Sequence, residues 1–150
     1  MQGHTAGGFH GPILGSIVLV EDDPSDLDLM LRALGRCSSP PAVTVARDGE
    51  AVLDLMRTWL NGAPRPSVVL LDLQLPRRGG LEVLRDLRIH YAASTLPVVV
   101  WTSSGAADDI AAAYAGGANA YVVKPLRFEE LVATACHIQH FWCQCNTTLD

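Results

Sequence analysis

Glu21, Asp22, Asp72, Thr102 and Lys124 each stand where an apolar run has just ended, and together their side chains suit phosphoryl chemistry. Carboxylates held within ~5 Å of one another repel by about 3 kcal/mol per pair at an effective dielectric near 20. A cluster of Glu21, Asp22 and Asp72 therefore needs a cation. Oxygen ligands left partly open suit Mg²⁺, which keeps some of its waters and pairs carboxylates with phosphate oxygens. A metal-bound Asp72 carboxylate is also a nucleophile able to accept a phosphoryl group as an aspartyl phosphate. The incoming oxygens then need neutralising: Mg²⁺ takes one, the Lys124 ammonium another and the Thr102 hydroxyl a third. Lys124 is the only lysine among 11 basic residues, so nothing nearby replaces it. Each side chain also has an ordinary use: Asp22 and Asp23 can cap a helix, Thr102 can satisfy a backbone group, and Lys124 can sit on a rim.

The elements that would gather these residues are short β-branched runs at Ile17 to Val20, Val43 to Ala46, Val68 to Leu71, Val98 to Trp101 and Ala120 to Val123. Each is followed by a stretch with helical spacing, which implies a doubly wound α/β fold with a parallel sheet covered on both faces. In such a sheet, ligands bind beyond the carboxyl ends of the strands where the winding switches direction. Asp23 before Pro24 starts the first helix, whose apolar face is Leu27, Met30, Leu31 and Leu34 until Gly35. Asp48 caps the second, with Val52, Leu55, Met56 and Trp59 inward, and the third runs from Gly80 through Leu87. The fourth, Asp108 to Ala115, is almost all alanine on its inner side and so is thin and easily moved. The last starts at Arg127, buries Leu131, Val132, Ala135 and Ile138, and ends near Phe141 and Trp142.

Composition bounds the function. A chain of 150 residues with net charge −5, 49% hydrophobic and 18% charged, is about one globular domain. With a pI near 5.4 and no basic stripe it is not expected to bind nucleic acid. Its apolar runs are far shorter than the ~20 residues of a membrane span, so a cytoplasmic location is expected. The Gly-rich residues 1–15 read as a mobile leader, 16–142 as the folded domain and 143–150 as a tail. Cys37, Cys136, Cys143 and Cys145 lack CxxC spacing and are expected to be reduced thiols. His137 and His140, with Cys143 and Cys145, offer a lesser reading as a soft metal site.

The stretches ILGSIVLVEDDP, VVLLDLQLPRRGG, PVVVWTSS and GGANAYVVKPL resemble the receiver domains of two-component response regulators over about residues 15–142. The intervals of 30 residues from Asp72 to Thr102 and 22 from Thr102 to Lys124 are those of that family. The resemblance implies a flavodoxin-like five-stranded parallel sheet in order 2-1-3-4-5 with five helices. It implies Asp72 as phosphoacceptor, Asp22 as a direct Mg²⁺ ligand, Glu21 as a ligand through water and the Gln74 backbone carbonyl as a further ligand. Thr102 and Lys124 would contact the phosphoryl group, Tyr121 would be the switch aromatic, and Pro125 would follow Lys124 through a cis peptide. By its residues alone, Tyr121 reads as an edge aromatic half-buried for packing. Pro76 and Gly80 match the loop after the phosphoacceptor. Glu21 replaces the commoner Asp, Leu126 stands where an aromatic is frequent, and bulky Trp101 is expected to crowd the sheet beside Thr102. Gln74 and Ser104 flank the path of attacking water.

VEDDPSDLDLM, VARDGEAVLDLM and the ending HFW are similar to the small stand-alone regulators that partner bacterial phytochromes and related histidine kinases. That implies a histidine kinase as partner and a homodimer through the fourth and fifth helices and fifth strand. Phe141 and Trp142 suit such an interface, or a helix end folded back on its own domain. Output would be a contact with a protein, a changed oligomer or a phosphorelay step, since the receiver fills the chain. Two other readings are an aspartyl-nucleophile phosphohydrolase, which would want a carboxylate where Gln74 stands, and a phosphate-independent interaction module.

Overall fold

The computed structural model describes residues 15–150; apart from Gly15, the leader expected at 1–15 lies outside the described residues. Strands β1 (Ser16–Val20), β2 (Ala42–Ala46), β3 (Val68–Leu71), β4 (Val98–Thr102) and β5 (Ala120–Val123) alternate with helices α1 (Pro24–Gly35), α2 (Gly49–Leu60), α3 (Gly80–His90), α4 (Ala107–Ala115) and α5 (Phe128–Gln139). The strands pair in parallel in the order β2-β1-β3-β4-β5, as the sequence implies.

Strand alternation makes two cores. Val18, Val20, Val69, Leu71 and Val98 face α2 and α3, while Ile17, Leu19, Leu70, Val99 and Trp101 face α1 and α5. Strands covered on both sides read as unbroken apolar runs, which is why their positions were plain. The helix starts follow from their caps. The Asp23 carboxylate accepts the Ser25 and Asp26 N–H groups ahead of Pro24, and Asp48 accepts that of Ala51. Beneath β4 and β5, the Arg88 guanidinium donates to the carbonyls of Gly117 and Leu96 and to the Asn119 side chain. Burial pulls its pKa down, but these acceptors tie α3 to the start of both strands.

Several expectations are corrected. Leu31 is exposed and Ala33 takes its place in the core, because α1 lies on the sheet rotated toward its Ala33 side, and apolar spacing alone does not set that rotation. On α2, Leu53 is buried and Leu55 only partly so. Trp101 does not crowd Thr102; alternation turns it to the opposite side, where it packs with the α1 and α5 core. After α5 the chain continues as a π-helical segment, His140–Cys145, across the boundary expected at 142, and the Leu149 N–H reaches the Ser94 carbonyl. The described residues include no cis peptide, so Lys124–Pro125 is trans. An X-Pro bond prefers trans by only about 0.5–1 kcal/mol, and sequence does not fix the isomer.

The thiols are also corrected. Cys37 and Cys136 form a disulfide across a sequence separation of 99, leaving Cys143 and Cys145 free. No local spacing rule sees this pair, because only the packing of α1 on α5 brings the two together. The soft metal reading is not assembled: Cys143 is buried, whereas Cys145 and His140 are exposed and paired with each other.

Candidate functional site

The sheet's switch point lies where β1 and β3 run side by side, and their ends carry the acids. The Asp72 N–H donates to the Val20 carbonyl at 3.2 Å, which sets Asp72 beside Glu21 and Asp22. The Lys124 N–H donates to the Thr102 carbonyl at 2.8 Å, so β4 and β5 end level with one another. Gly80 closes the loop after Asp72. A Cβ there would stand 2.3 Å from the Asp72 carbonyl oxygen, so only glycine lets the start of α3 lie against the strand end.

Within this frame Lys124 reaches into the acids. Its Nζ lies 2.5 Å from Glu21 Oε2, 2.9 Å from Asp72 Oδ2 and 3.0 Å from Asp26 Oδ2. Burial works against the ammonium, but its hydrogen bonds to Glu21, Asp72 and Asp26 outweigh that and raise its pKa. Glu21, 1% exposed, is pushed up to about 7, chiefly by burial and further by the charge of Asp72, against the lowering bond from Lys124. The remaining Asp72 oxygen, Oδ1, accepts the Gln74 N–H at 3.0 Å, which lays the residue 74 backbone against the carboxylate. Asp22 is exposed and makes no hydrogen bond or ion pair among the described residues. The Thr102 hydroxyl is fully buried and, among the described residues, has no hydrogen-bond partner. A buried hydroxyl left unpaired costs about 1–3 kcal/mol, and this one stands at the strand end beside the Lys124 backbone.

The structure thus gathers Glu21, Asp72 and Lys124 by direct contact and sets Thr102, Asp22 and Gln74 at the same edge. Tyr121 stands further out, its hydroxyl donating to the Ser104 carbonyl at 2.8 Å, while the Ser104 side chain is engaged by Asp109. Asp26 was missed as a site residue. Sequence reading gave it only the helix terminus; its place one turn beyond Asp22, on the face toward the sheet end, was the available signal.

Among the described residues no three His, Cys, Asp or Glu side chains already surround one point as a metal cage. The carboxylates converge on an ammonium instead. The donor set still fits a hard divalent ion: every ligand candidate is oxygen, and Asp22 makes no hydrogen bond or ion pair among the described residues.

The signature of the response regulator receiver domain matches residues 17–135. A probable methanogenesis regulatory protein, FilR2, of Methanothrix harundinacea is 39% identical over 84% of this chain and 82% of its own. Response regulator Rcp1 of Synechocystis is 32% identical over 87% of this chain and 90% of its own. The crystal structure of the phosphorylated cyanobacterial phytochrome response regulator RcpA superimposes with a TM-score of 0.80 at 32% identity, covering 91% of this chain and 99% of that one. No described helix is long and apolar enough to cross a membrane. With the signature spanning most of its length and relatives matched over most of theirs, the chain belongs to the response regulator receiver domain family and is similar to the stand-alone regulators of phytochrome signalling.

Proposed function

We propose that this protein is a phosphorylation-controlled switch in which Asp72 takes a phosphoryl group from a phosphohistidine of a cytoplasmic histidine kinase, of phytochrome type. The observation that carries this is an ammonium already on Asp72 Oδ2 at the edge where a buried Thr102 hydroxyl has no partner among the described residues. The relatives lend support, since RcpA has been crystallised phosphorylated and Rcp1 with Mn²⁺ bound.

Asp22, Asp72 and the Gln74 carbonyl would hold Mg²⁺ directly and Glu21 would do so through water. When bound, the ion supplies charge neutralisation at the phosphoryl oxygens and fixes them relative to the carboxylates. An Asp72 carboxylate oxygen attacks phosphorus as the bond to the imidazole nitrogen breaks, and the histidine leaves with the electron pair. The Lys124 ammonium passes from Glu21 and Asp26 to a phosphoryl oxygen, and the Thr102 hydroxyl donates to another. Movement of Thr102 at the end of β4 bears on the loop that Tyr121 grips through the Ser104 carbonyl, and through it on α4. The receiving partner includes a second copy of this chain, met through α4, β5 and α5.

Intact mass after treatment with acetyl phosphate and Mg²⁺ is expected to show one phosphoryl adduct, absent in Asp72→Asn. An adduct retained by that variant overturns the assignment, and turnover of small phosphomonoesters far beyond one equivalent favours a phosphohydrolase.

A further inference from the structure

We propose that Cys37 and Cys136 are a reversible thiol–disulfide site for a glutathione-class couple, and that its closed form slows phosphoryl uptake by tying the carboxylate side of the Asp72 pocket to its lysine side. The coupling half of this rests on Asp72 being the phosphoacceptor.

The site lies on one seam. α1 starts directly after Glu21 and Asp22 and carries Asp26, and α5 starts directly after the segment holding Lys124 and Pro125. Cys37 follows the end of α1 and Cys136 sits on α5, so the bond joins the two elements that bring the acids and the ammonium together. Their Cα atoms are 5.3 Å apart, within the range that a bridge spans without backbone movement. Cys37 is buried at 6% exposure, whereas Cys136 is partly open to solvent, which gives an attacking thiol its entry. In the disulfide Cys37 Sγ has no proton to donate, but the Ala33 carbonyl 3.7 Å away is an acceptor within reach once the thiol is restored. The free cysteines do not compete: Cys143 is buried with its thiol pushed up to about 11 by burial, and Cys145 is exposed beside His140.

Closure is an exchange. The Cys136 thiolate attacks glutathione disulfide, releasing one glutathione thiolate. Cys37 then attacks the mixed disulfide and releases the second. Two protein thiols are oxidised, one glutathione disulfide is reduced, and two protons pass to the departing thiolates. The sign of the coupling follows from the resting geometry. Lys124 is held by Glu21 and Asp26 on the α1 side and must leave both to meet the phosphoryl group. The bond lies past the far end of α1 from Asp26, so it acts through the packing of α1 on α5: the tie holds Asp26 and Lys124 in register and favours the ion pairs that the ammonium's flexible stem must leave.

The test uses the full chain, equilibrated in glutathione buffers from fully reduced to fully oxidised. Alkylation and intact mass are expected to show two fewer reactive thiols in oxidised buffer, with a peptide map linking Cys37 to Cys136. Four reactive thiols at every ratio, or a different linkage, overturn the site. The rate of adduct formation from acetyl phosphate is then compared between states. It is expected to be at least about fivefold slower in the oxidised protein, the low end of coupling between sites. Cys37→Ser should react at the reduced rate in every buffer. Equal rates, or a faster oxidised form, overturn the coupling while leaving the phosphoacceptor intact. The absence of any adduct in both states overturns the phosphoacceptor reading and the coupling with it, and leaves the thiol measurement to be judged by its own mass.

Discussion

At the scale of single residues, the centre of the site is an ammonium shared by three carboxylates. A compact point charge on a flexible stem can leave two of them and follow a phosphoryl oxygen, whereas a planar guanidinium engages one carboxylate with its fork. Lys124→Arg is therefore expected to accept a phosphoryl group and fail to switch. Trp101 lines a cavity of about 40 Å³ together with Lys124 and Asp26, so it serves as the reporter. Beryllofluoride with Mg²⁺ should change the tryptophan fluorescence of the parent protein, and neither Lys124→Arg nor Trp101→Phe should show that change; a full response in Lys124→Arg overturns the role. Glu21 gives a second expectation. Its folded pKa of about 7 lies above the ordinary 4.5, so the folded protein keeps a proton that the unfolded chain has lost. Stability without metal should then fall as pH rises between those values, by up to roughly 3 kcal/mol. Urea midpoints in a chelator at about pH 5.5 and about pH 8 read roughly 2 kcal/mol of it. Glu21→Gln should flatten the dependence, and an equal slope in that variant assigns the proton elsewhere. The types and spacing of Asp72, Thr102 and Lys124 were legible in the sequence because each ends a strand. The grip of Asp26 was not, since it depends on how the first turn of α1 is rotated over the sheet end.

At the scale of elements, packing differs sharply between helices that look alike in length. α3 buries Gly80, Val83, Leu84 and Leu87 and is anchored by Arg88, whereas α4 buries only Ala113. None of α3, α4 and α5 has a side-chain cap at its start, so packing rather than capping separates α3 from α4. Local opening costs least where few apolar contacts must be broken. Amide hydrogen exchange is accordingly expected to be fastest in residues 107–115 among the helices and slowest in α3, and beryllofluoride should slow it in α4. Equal protection of the two helices before activation removes α4 as the bistable element. The thinness of α4 was plain from its alanines, and the strands were plain from their β-branched runs. The π-helical continuation after α5, the exposure of Leu31 and the Cys37–Cys136 bond were not. Each is decided by how one helix lies against another surface, and periodicity along a single segment does not encode that.

At the scale of the molecule, exposed apolar side chains occur on several elements, Leu29 and Leu31 on α1, Leu60 on α2 and Ile89 on α3 among them, and one group of them falls on neighbouring elements near the site. The sheet is closed on both faces by its helices, yet Tyr114 on α4, Val123 on β5, Leu126 just beyond it and Phe141 after α5 remain exposed, Leu126 completely. These residues come from the elements through which a second copy is expected to bind, and the same elements follow the movable end of the site. Apolar groups scattered singly need no explanation, but a set drawn from adjoining elements suits a partner. A homodimer of standard size buries roughly 800 Å² on each subunit, enough to cover such a set. If phosphorylation rearranges α4 against β5, the fit between copies changes with it, and assembly becomes the output. Light scattering coupled to size exclusion is expected to show the mass of a dimer when beryllofluoride and Mg²⁺ are present and a lower average mass when they are absent. Leu126→Asp places a charge at the most exposed of these positions without touching Asp72, Thr102 or Lys124. It should leave phosphoryl uptake unchanged and hold the protein at monomer mass under both conditions. A dimer undiminished in Leu126→Asp moves the interface to another face, and a mass that ignores beryllofluoride in the parent protein makes assembly independent of the switch.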